Sequence, residues 1–253
     1  DIKLIDKILT KNDMDRLLSE ILDNEKLEIF DKSGDLDTSI GLEGLSRIRI
    51  NAYMANEKRC LTLRILPDNL PNWQDLGLPK PFIELTKKNR GLVLCTGPTG
   101  SGKSTTLAAF INCILQTQKR HILTIEDPIE FEFNHTHNSI IHQREVKRDT
   151  KNFSSALKAA LREDPDIIYI GEMRDLETIQ LAITAAETGH LVLGTLHTSS
   201  ASKTVERIVD VFPADQQEQA RLMVSTSLSG IMSQTLCKNK KGKRSLAYEL
   251  LIN

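Results

Sequence analysis

No apolar run in these 253 residues approaches the roughly eighteen that a membrane-spanning helix needs, and the first residues carry no signal-peptide pattern. Cysteine is scarce: Cys60, Cys95, Cys113 and Cys237 lie far apart and form no Cys-x-x-Cys pair. That argues against a zinc site or a disulfide framework and suits a reducing cytoplasm. Charge of one sign is also missing. The formal net charge is −1, so the overall balance points neither to nucleic acid nor to a membrane surface. There is no internal repeat and no low-complexity tract. The chain begins at Asp1 rather than Met, from which a true start further upstream is expected. What remains is a globular composition, 40% apolar and 26% charged, long enough for two domains and a substantial core.

The most informative segment is Gly97, Pro98, Thr99, Gly100, Ser101, Gly102, Lys103, Ser104, a complete Gly-x-x-x-x-Gly-Lys-Ser phosphate loop, followed by Thr105. An apolar run, Leu92 to Cys95, precedes it. An amphipathic helix follows, with Leu107, Phe110, Ile111, Ile114 and Leu115 on one face. Glycines let the backbone turn its N–H groups toward phosphate oxygens, and the helix N-terminus adds partial positive charge. Lys103 can neutralise β- and γ-phosphates, and the Ser104 hydroxyl suits Mg²⁺. Glycine-rich turns precede many helices that bind nothing, but the Lys-Ser ending and the strand–loop–helix setting favour a nucleoside triphosphate.

Upstream, residues 1–66 mix helix and strand. Met14, Leu17, Leu18, Ile21 and Leu22 follow helical spacing after Asn12, read as the cap. Residues 47–51 and 61–65 alternate with period two, placing Arg47, Arg49 and Asn51 on one strand face and Thr62 with Arg64 on another. Four of the eight prolines fall in residues 67–90, which reads as a linker before a domain spanning 91–253. In that domain, expected strands at 92–96, 122–125, 167–170 and 191–196 alternate with amphipathic helices. One helix carries Phe153, Ala156, Leu157, Ala160 and Leu161, and another carries Leu176, Ile179, Ala182, Ile183 and Ala186. This is the α/β pattern of a parallel sheet covered on both faces. The basic run 238–244 reads as a solvated hairpin loop in preference to a binding patch.

Ligands of open parallel sheets sit at the carboxyl ends of the strands. There the chain places Glu126, Asp127 and Glu130 after one strand, Glu172 and Arg174 after a second, and His197 after a third, with His190 just before the third begins. Hydrolysis of a triphosphate needs a base to orient water, a carboxylate to order Mg²⁺, and cations on the transferred group. Glu130 and Glu172 suit the first two roles, and His197 can report the γ-phosphate. Each alone has a plainer reading, as a capping or surface acid or as an ordinary strand-end histidine; the phosphate loop beside them is what raises the functional one. His135, His137 and His142 read as solvated loop histidines rather than metal ligands. The second domain offers only Arg144, Arg162 and Arg174 as internal arginine fingers. The first domain's arginines therefore stand either as solvent-facing strand residues or as groups serving a neighbouring subunit's site.

Four blocks together, Gly97 to Thr106, Ile125-Glu-Asp-Pro-Ile-Glu130, Gly171 to Glu177 and Thr188 to Thr198, closely resemble the type II/type IV secretion ATPases. Gln143-Arg-Glu-Val146, Leu161 to Asp166 and Val209 to Pro213, with no four-cysteine insert, point within that superfamily to the branch that retracts type IV pili. The resemblance spans roughly residues 40–250. It implies a RecA-like core with a parallel-rich twisted sheet, preceded by a smaller α+β PAS-like domain, assembled as a homo-hexamer. The partners it implies are an inner-membrane pilus platform protein and paralogous pilus ATPases, with no nucleic acid, at the cytoplasmic side of a bacterial inner membrane. By resemblance, residues 97–105 form the Walker A loop for ATP with Mg²⁺, Glu130 is the catalytic glutamate, and Glu172 is the Walker B acid holding Mg²⁺ with Ser104. His190 and His197 belong to the His box. Arg47, Arg49 and Arg64 are the N-terminal arginines, often acting on a neighbour's ATP. The family's C-terminal helices are not in this chain, which ends at Asn253.

Overall fold

The computed structural model describes residues 8–42, 45–66, 69–136, 138–240 and 242–253, with the side chains of residues 42 and 45–47 outside that description. The chain forms two compact units, divided between residues 68 and 69.

In the first unit, α1 (Lys11–Ile21) and α2 (Asn24–Ser33) precede three antiparallel strands, β1 (Asp35–Leu42), β2 (Leu45–Ala55) and β3 (Lys58–Ile65), in the order β1-β2-β3. Helix α1 starts two residues earlier than its apolar spacing suggests. Thr10, not Asn12, is the cap, because Thr10 and Asp13 satisfy each other's backbone N–H groups in a capping box. Gly34 closes α2 at φ +76°, a left-handed turn that leads directly into β1. Leu18, Leu22 and Phe30 from the helices meet Ile50 and Ala52 from β2 in a small core. The alternation that buries Ile50 and Ala52 turns Arg49 and Asn51 to the opposite face. There Arg49 lies opposite Arg64, and Asn51 opposite Thr62.

The second unit is built on a seven-stranded sheet. Its elements run α3 (Trp73–Leu76), α4 (Lys80–Glu84), β4 (Gly91–Thr96), α5 (Lys103–Thr117), β5 (His121–Glu126), β6 (Ile140–Glu145), α6 (Phe153–Ala160), β7 (Ile167–Ile170), α7 (Leu176–Glu187), β8 (Leu191–Leu196), α8 (Ala201–Asp210), α9 (Gln217–Ser227), β9 (Leu228–Lys238) and β10 (Arg244–Ile252). Strand order is β10-β9-β4-β8-β7-β5-β6. Neighbouring strands are parallel except for β10, which returns antiparallel along β9. The sheet is therefore mixed but mostly parallel. The basic run is the β9–β10 turn, closed by Asn239 and Gly242.

Strand parity divides the core. Leu92 and Leu94 of β4, with Ile168, Ile170 and Val192, pack under α6, α7, α8 and α9. Val93 and Cys95, with Tyr169, Leu191 and Leu193, pack under α5. The expected face of α5 is buried throughout, from Leu107 to Leu115. Each such side chain contributes on the order of 1.5–3 kcal/mol by leaving water. The stretch read as a proline-rich linker is, from Asn69 on, part of this unit. Phe82 is fully buried, with its ring 5.3 Å from that of Phe110, and Ile83 and Leu85 join the same core. Pro79 and Pro81 sit at the start of α4, where a missing N–H costs nothing. Among the described residues no helix is long and apolar enough to cross a membrane.

Candidate functional site

Sheet order puts the carboxyl ends of β4, β8, β7 and β5 side by side, so four chain segments far apart in sequence converge there. The phosphate loop joins β4 to α5. Gly97, Gly100 and Gly102 adopt φ of +143°, +76° and +89°, conformations that side chains rarely take. At Gly97 space decides as well: a Cβ would lie 2.2 Å from the Gln234 carbonyl oxygen and 2.7 Å from Ser101 Oγ. Lys103 Nζ turns back over the loop, donating to the carbonyls of Gly97 at 2.9 Å and Pro98 at 3.1 Å. Burial holds its pKa below the ordinary lysine value, and Cys95, Glu172 and Glu130 pull the other way. Helix α5 has no side-chain cap, so its first N–H groups are open to an anion. Among the described residues, Ser101 Oγ is the buried side-chain polar atom without a hydrogen-bond partner.

Glu172 follows β7. Its Oε1 accepts from Arg174 and lies 2.8 Å from His197 Nε2, at the end of β8. Burial opposes ionisation of Glu172, but Arg174 and His197 outweigh it and hold the carboxyl below its usual range. The turn bearing Glu172 is fastened to β8. Thr195 donates its hydroxyl to the Gly171 carbonyl, and Met173 N–H donates to the Thr195 carbonyl at 3.0 Å. Gly194 leaves room for Met173, whose sulfur would stand 2.9 Å from a Cβ there.

Glu130 is half-buried on the loop after β5. That loop is held by edge strand β6, a role that sequence reading missed. Gln143 donates to the Phe131 carbonyl at 2.8 Å and accepts from Phe133 N–H at 2.9 Å. Glu145 accepts from Ile129 N–H at 3.1 Å. The only signal in the sequence is the two-residue spacing of Gln143 and Glu145 on one strand face.

Glu126 is a separate case. It is buried at the end of β5, receives hydrogen bonds from Thr124 at 2.6 Å and Gln143 at 3.1 Å, and burial pushes its pKa up to about 7. The folded state thus binds a proton more tightly than the ordinary value of 4.5 allows. Stability falls as pH rises from about 4.5 to 7 and stays lowered above it. We expect Glu126→Gln, which keeps the acceptor and removes the charge, to raise Tm by several degrees at pH 8 and to change it little at pH 4.5. The ceiling is about 3 kcal/mol. Equal shifts at both pH values in thermal unfolding would contradict the assignment.

Not every expected residue joins this group. His190 lies at the opposite end of β8 from His197, with the six residues of the strand between them, roughly 23 Å away. Its Nδ1 and its backbone N–H both bond the Ala185 carbonyl, closing the end of α7. Spacing along the chain could not reveal this, because both histidines flank the same strand. Arg49 belongs to the first unit and forms a two-point pair with Asp37, at 3.1 and 2.6 Å. Arg64 is its cross-strand neighbour, and the side chain of Arg47 lies outside the described residues. Arg144 pairs with Glu163 at 3.1 Å. His142 is on β6 rather than in a loop, with its Nδ1 2.9 Å from His121 Nε2. His135 Nδ1 accepts from Ile141 N–H, and His137 lies outside the described residues.

A glycine cradle at the end of a central parallel strand, opposed by carboxylates and a histidine from neighbouring strand ends, defines a P-loop ATPase. The chain belongs to the type II/IV secretion system protein family, which it matches over residues 5–247. It is 50% identical to the type IV pilus retraction ATPase PilT of Pseudomonas aeruginosa, over 93% of this chain and 68% of that protein. To the twitching motility protein of Neisseria gonorrhoeae it is 47% identical, over 96% of this chain and 65% of that one. A crystal structure of the pilus retraction motor PilT with bound ADP superposes with a TM-score of 0.91 at 51% identity, over 94% of this chain and 69% of that one. The chain thus spans about two thirds of the length of these relatives.

Proposed function

We propose that this chain is the motor portion of a cytoplasmic homo-hexameric ATPase that drives retraction of type IV pili. The observation that carries the reading is the phosphate loop with Lys103 opposite the Glu172–His197 pair and the clamped Glu130. The relatives favour retraction over secretion: those named for pilus retraction and twitching are 50% and 47% identical, whereas the type II secretion ATPase of Vibrio cholerae is 37% identical. We assign a PAS-like character to the N-terminal unit and a RecA-like one to the second.

The loop fits a polyphosphate on its own terms. The unpartnered Ser101 hydroxyl, the open N-terminus of α5 and the folded-back lysine all await an anion's oxygens. The donor set fits Mg²⁺ as well. Its hydroxyl and carboxylate oxygens are the hard donors that Mg²⁺ prefers, and few protein oxygens are needed where substrate phosphates and water would supply the rest. Ser104, and Glu172 through water, would hold Mg²⁺, which supplies neutralisation of the β- and γ-phosphates.

The chain's own part in hydrolysis follows. Lys103 leaves the two loop carbonyls for the phosphates. The Glu130 carboxylate orients a water and takes its proton as the water oxygen bonds to the γ-phosphorus. The bond from that phosphorus to the β,γ-bridging oxygen breaks, and the electron pair leaves on ADP. His197, tied to Glu172, reports whether the γ-phosphate is present. Arg49, Arg64 and Arg47 act on the site of a neighbouring subunit, with Asp37 holding Arg49 in reserve. The chain's other partner is an inner-membrane pilus platform protein. In cells carrying Glu172→Ala in the full-length gene, we expect surface pili with no twitching. Cells without pili would instead indicate an assembly motor, and normal twitching would overturn the reading.

A further inference from the structure

Strand β9 runs parallel to β4 and continues past it. Thr96, the last residue of β4, is level with Ser233, so Gln234 lies beneath the phosphate loop. Its side chain is 4% exposed, and both its oxygen and its nitrogen are engaged. Oε1 accepts from Thr106 Oγ1 at 2.9 Å and from Cys95 Sγ at 3.1 Å, and Nε2 donates to the Ser101 carbonyl at 2.7 Å. Thus one amide joins β4, the loop and the first turn of α5 to the β9–β10 hairpin. Only a carboxamide combines acceptor and donor in this way without charge.

The bond to Ser101 has a directional consequence. A trans peptide is planar, so the Ser101 C=O and the Gly102 N–H point to opposite sides. Drawing the carbonyl down toward β9 turns the Gly102 N–H up, away from the sheet. Burial makes the arrangement stiff, because a buried polar group left without its partner is costly. Resting on the reading of the loop as a nucleotide site, we propose that Gln234 is a positioning residue for phosphate binding. It holds the Ser101–Gly102 peptide in its anion-facing orientation before nucleotide arrives, and so couples the β9–β10 hairpin to nucleotide affinity.

The test uses full-length protein, a fluorescent ADP analogue, steady-state ATPase kinetics and thermal unfolding without nucleotide. Gln234→Met fills the same space without the hydrogen bonds. Gln234→Glu keeps the acceptor but sets a carboxylate against the Ser101 carbonyl. We expect both to raise the Kd for the ADP analogue and the KM for ATP tenfold or more, with kcat at saturation within threefold of the parent even where Gln234→Met, which leaves buried partners unpaired, lowers Tm. Should neither variant fold, Thr106 keeps the question open to decision. Thr106→Val is expected to weaken ADP binding about threefold, and Thr106→Ser, which retains the hydroxyl, to restore it. Parental Kd and KM in Gln234→Met would overturn the inference. So would a fall in kcat in step with the rise in KM, which marks a merely structural residue. A parent that itself fails to bind the ADP analogue would instead overturn the nucleotide reading of the loop.

Discussion

Lys103→Met is expected to lower ATP turnover by three orders of magnitude or more and to weaken ADP binding at least tenfold, while leaving the nucleotide-free fold intact. The ammonium is the one cation the loop directs at its own concavity, and Arg174 is engaged with Glu172. Within this loop no other side chain replaces that charge at the transferred phosphoryl group, where electrostatic stabilisation is worth most, and neither a bound cation nor an arginine from a neighbouring subunit occupies its position. The fold tolerates the change because burial already disfavours the charged lysine, and methionine keeps the apolar stem packed. Hydrolysis assays, titration with fluorescent ADP and thermal unfolding give the three readouts. Turnover within tenfold of the parent would remove Lys103 from the mechanism. A collapse of Tm would make its role structural.

Glu130→Gln separates chemistry from binding. Turnover is expected to fall by a factor of a hundred or more, because an amide cannot take the proton of the attacking water. ADP affinity should stay within twofold, since the loop that cradles phosphate is untouched. The shape of the neighbouring loop should also persist. Gln143 and Glu145 hold its backbone at residues 129, 131 and 133, not through the Glu130 side chain. The comparison with Glu126→Gln sharpens the test. Glu126 is four residues away, buried and hydrogen-bonded to Thr124, and its pKa is pushed up to about 7. Its carboxyl also accepts from the Glu130 backbone N–H, a bond that the amide oxygen of glutamine can keep, so its amide variant should gain stability rather than lose turnover wholesale. Equal losses of turnover at both positions would sink the distinction.

The parts legible in the amino-acid order are those set by neighbours in the chain. The phosphate loop is a local backbone device, and its positive-φ glycines stand where the motif puts them. The strands at 167–170 and 191–196 coincide with the apolar runs, because a strand buried on both faces must be apolar at every position. Helix faces follow from periodicity alone. Where a local signal misled, another local signal had been overlooked, as when Thr10 with Asp13 capped α1 ahead of Asn12.

Strand order is different, because it joins residues that the chain keeps apart. Placing β4 between β8 and β9 brings Gln234 under Ser101, 133 residues away, and Thr195 against Gly171. Edge strand β6 lends Gln143 and Glu145 to the loop of Glu130 for the same reason. It also parts His190 from His197, since the site gathers at the carboxyl end of β8 and His190 stands before its amino end. Residues 69–90, polar and proline-rich in composition, are held by a few large apolar side chains whose partners lie on α5. Sequence alone thus determined the chemistry available, a phosphate loop with acids and a histidine at strand ends, because those are local conformational and motif properties. The tertiary structure alone decided which groups brace that chemistry and which stand apart, because hydrogen bonds across a parallel sheet depend on strand order, and no local pattern encodes it.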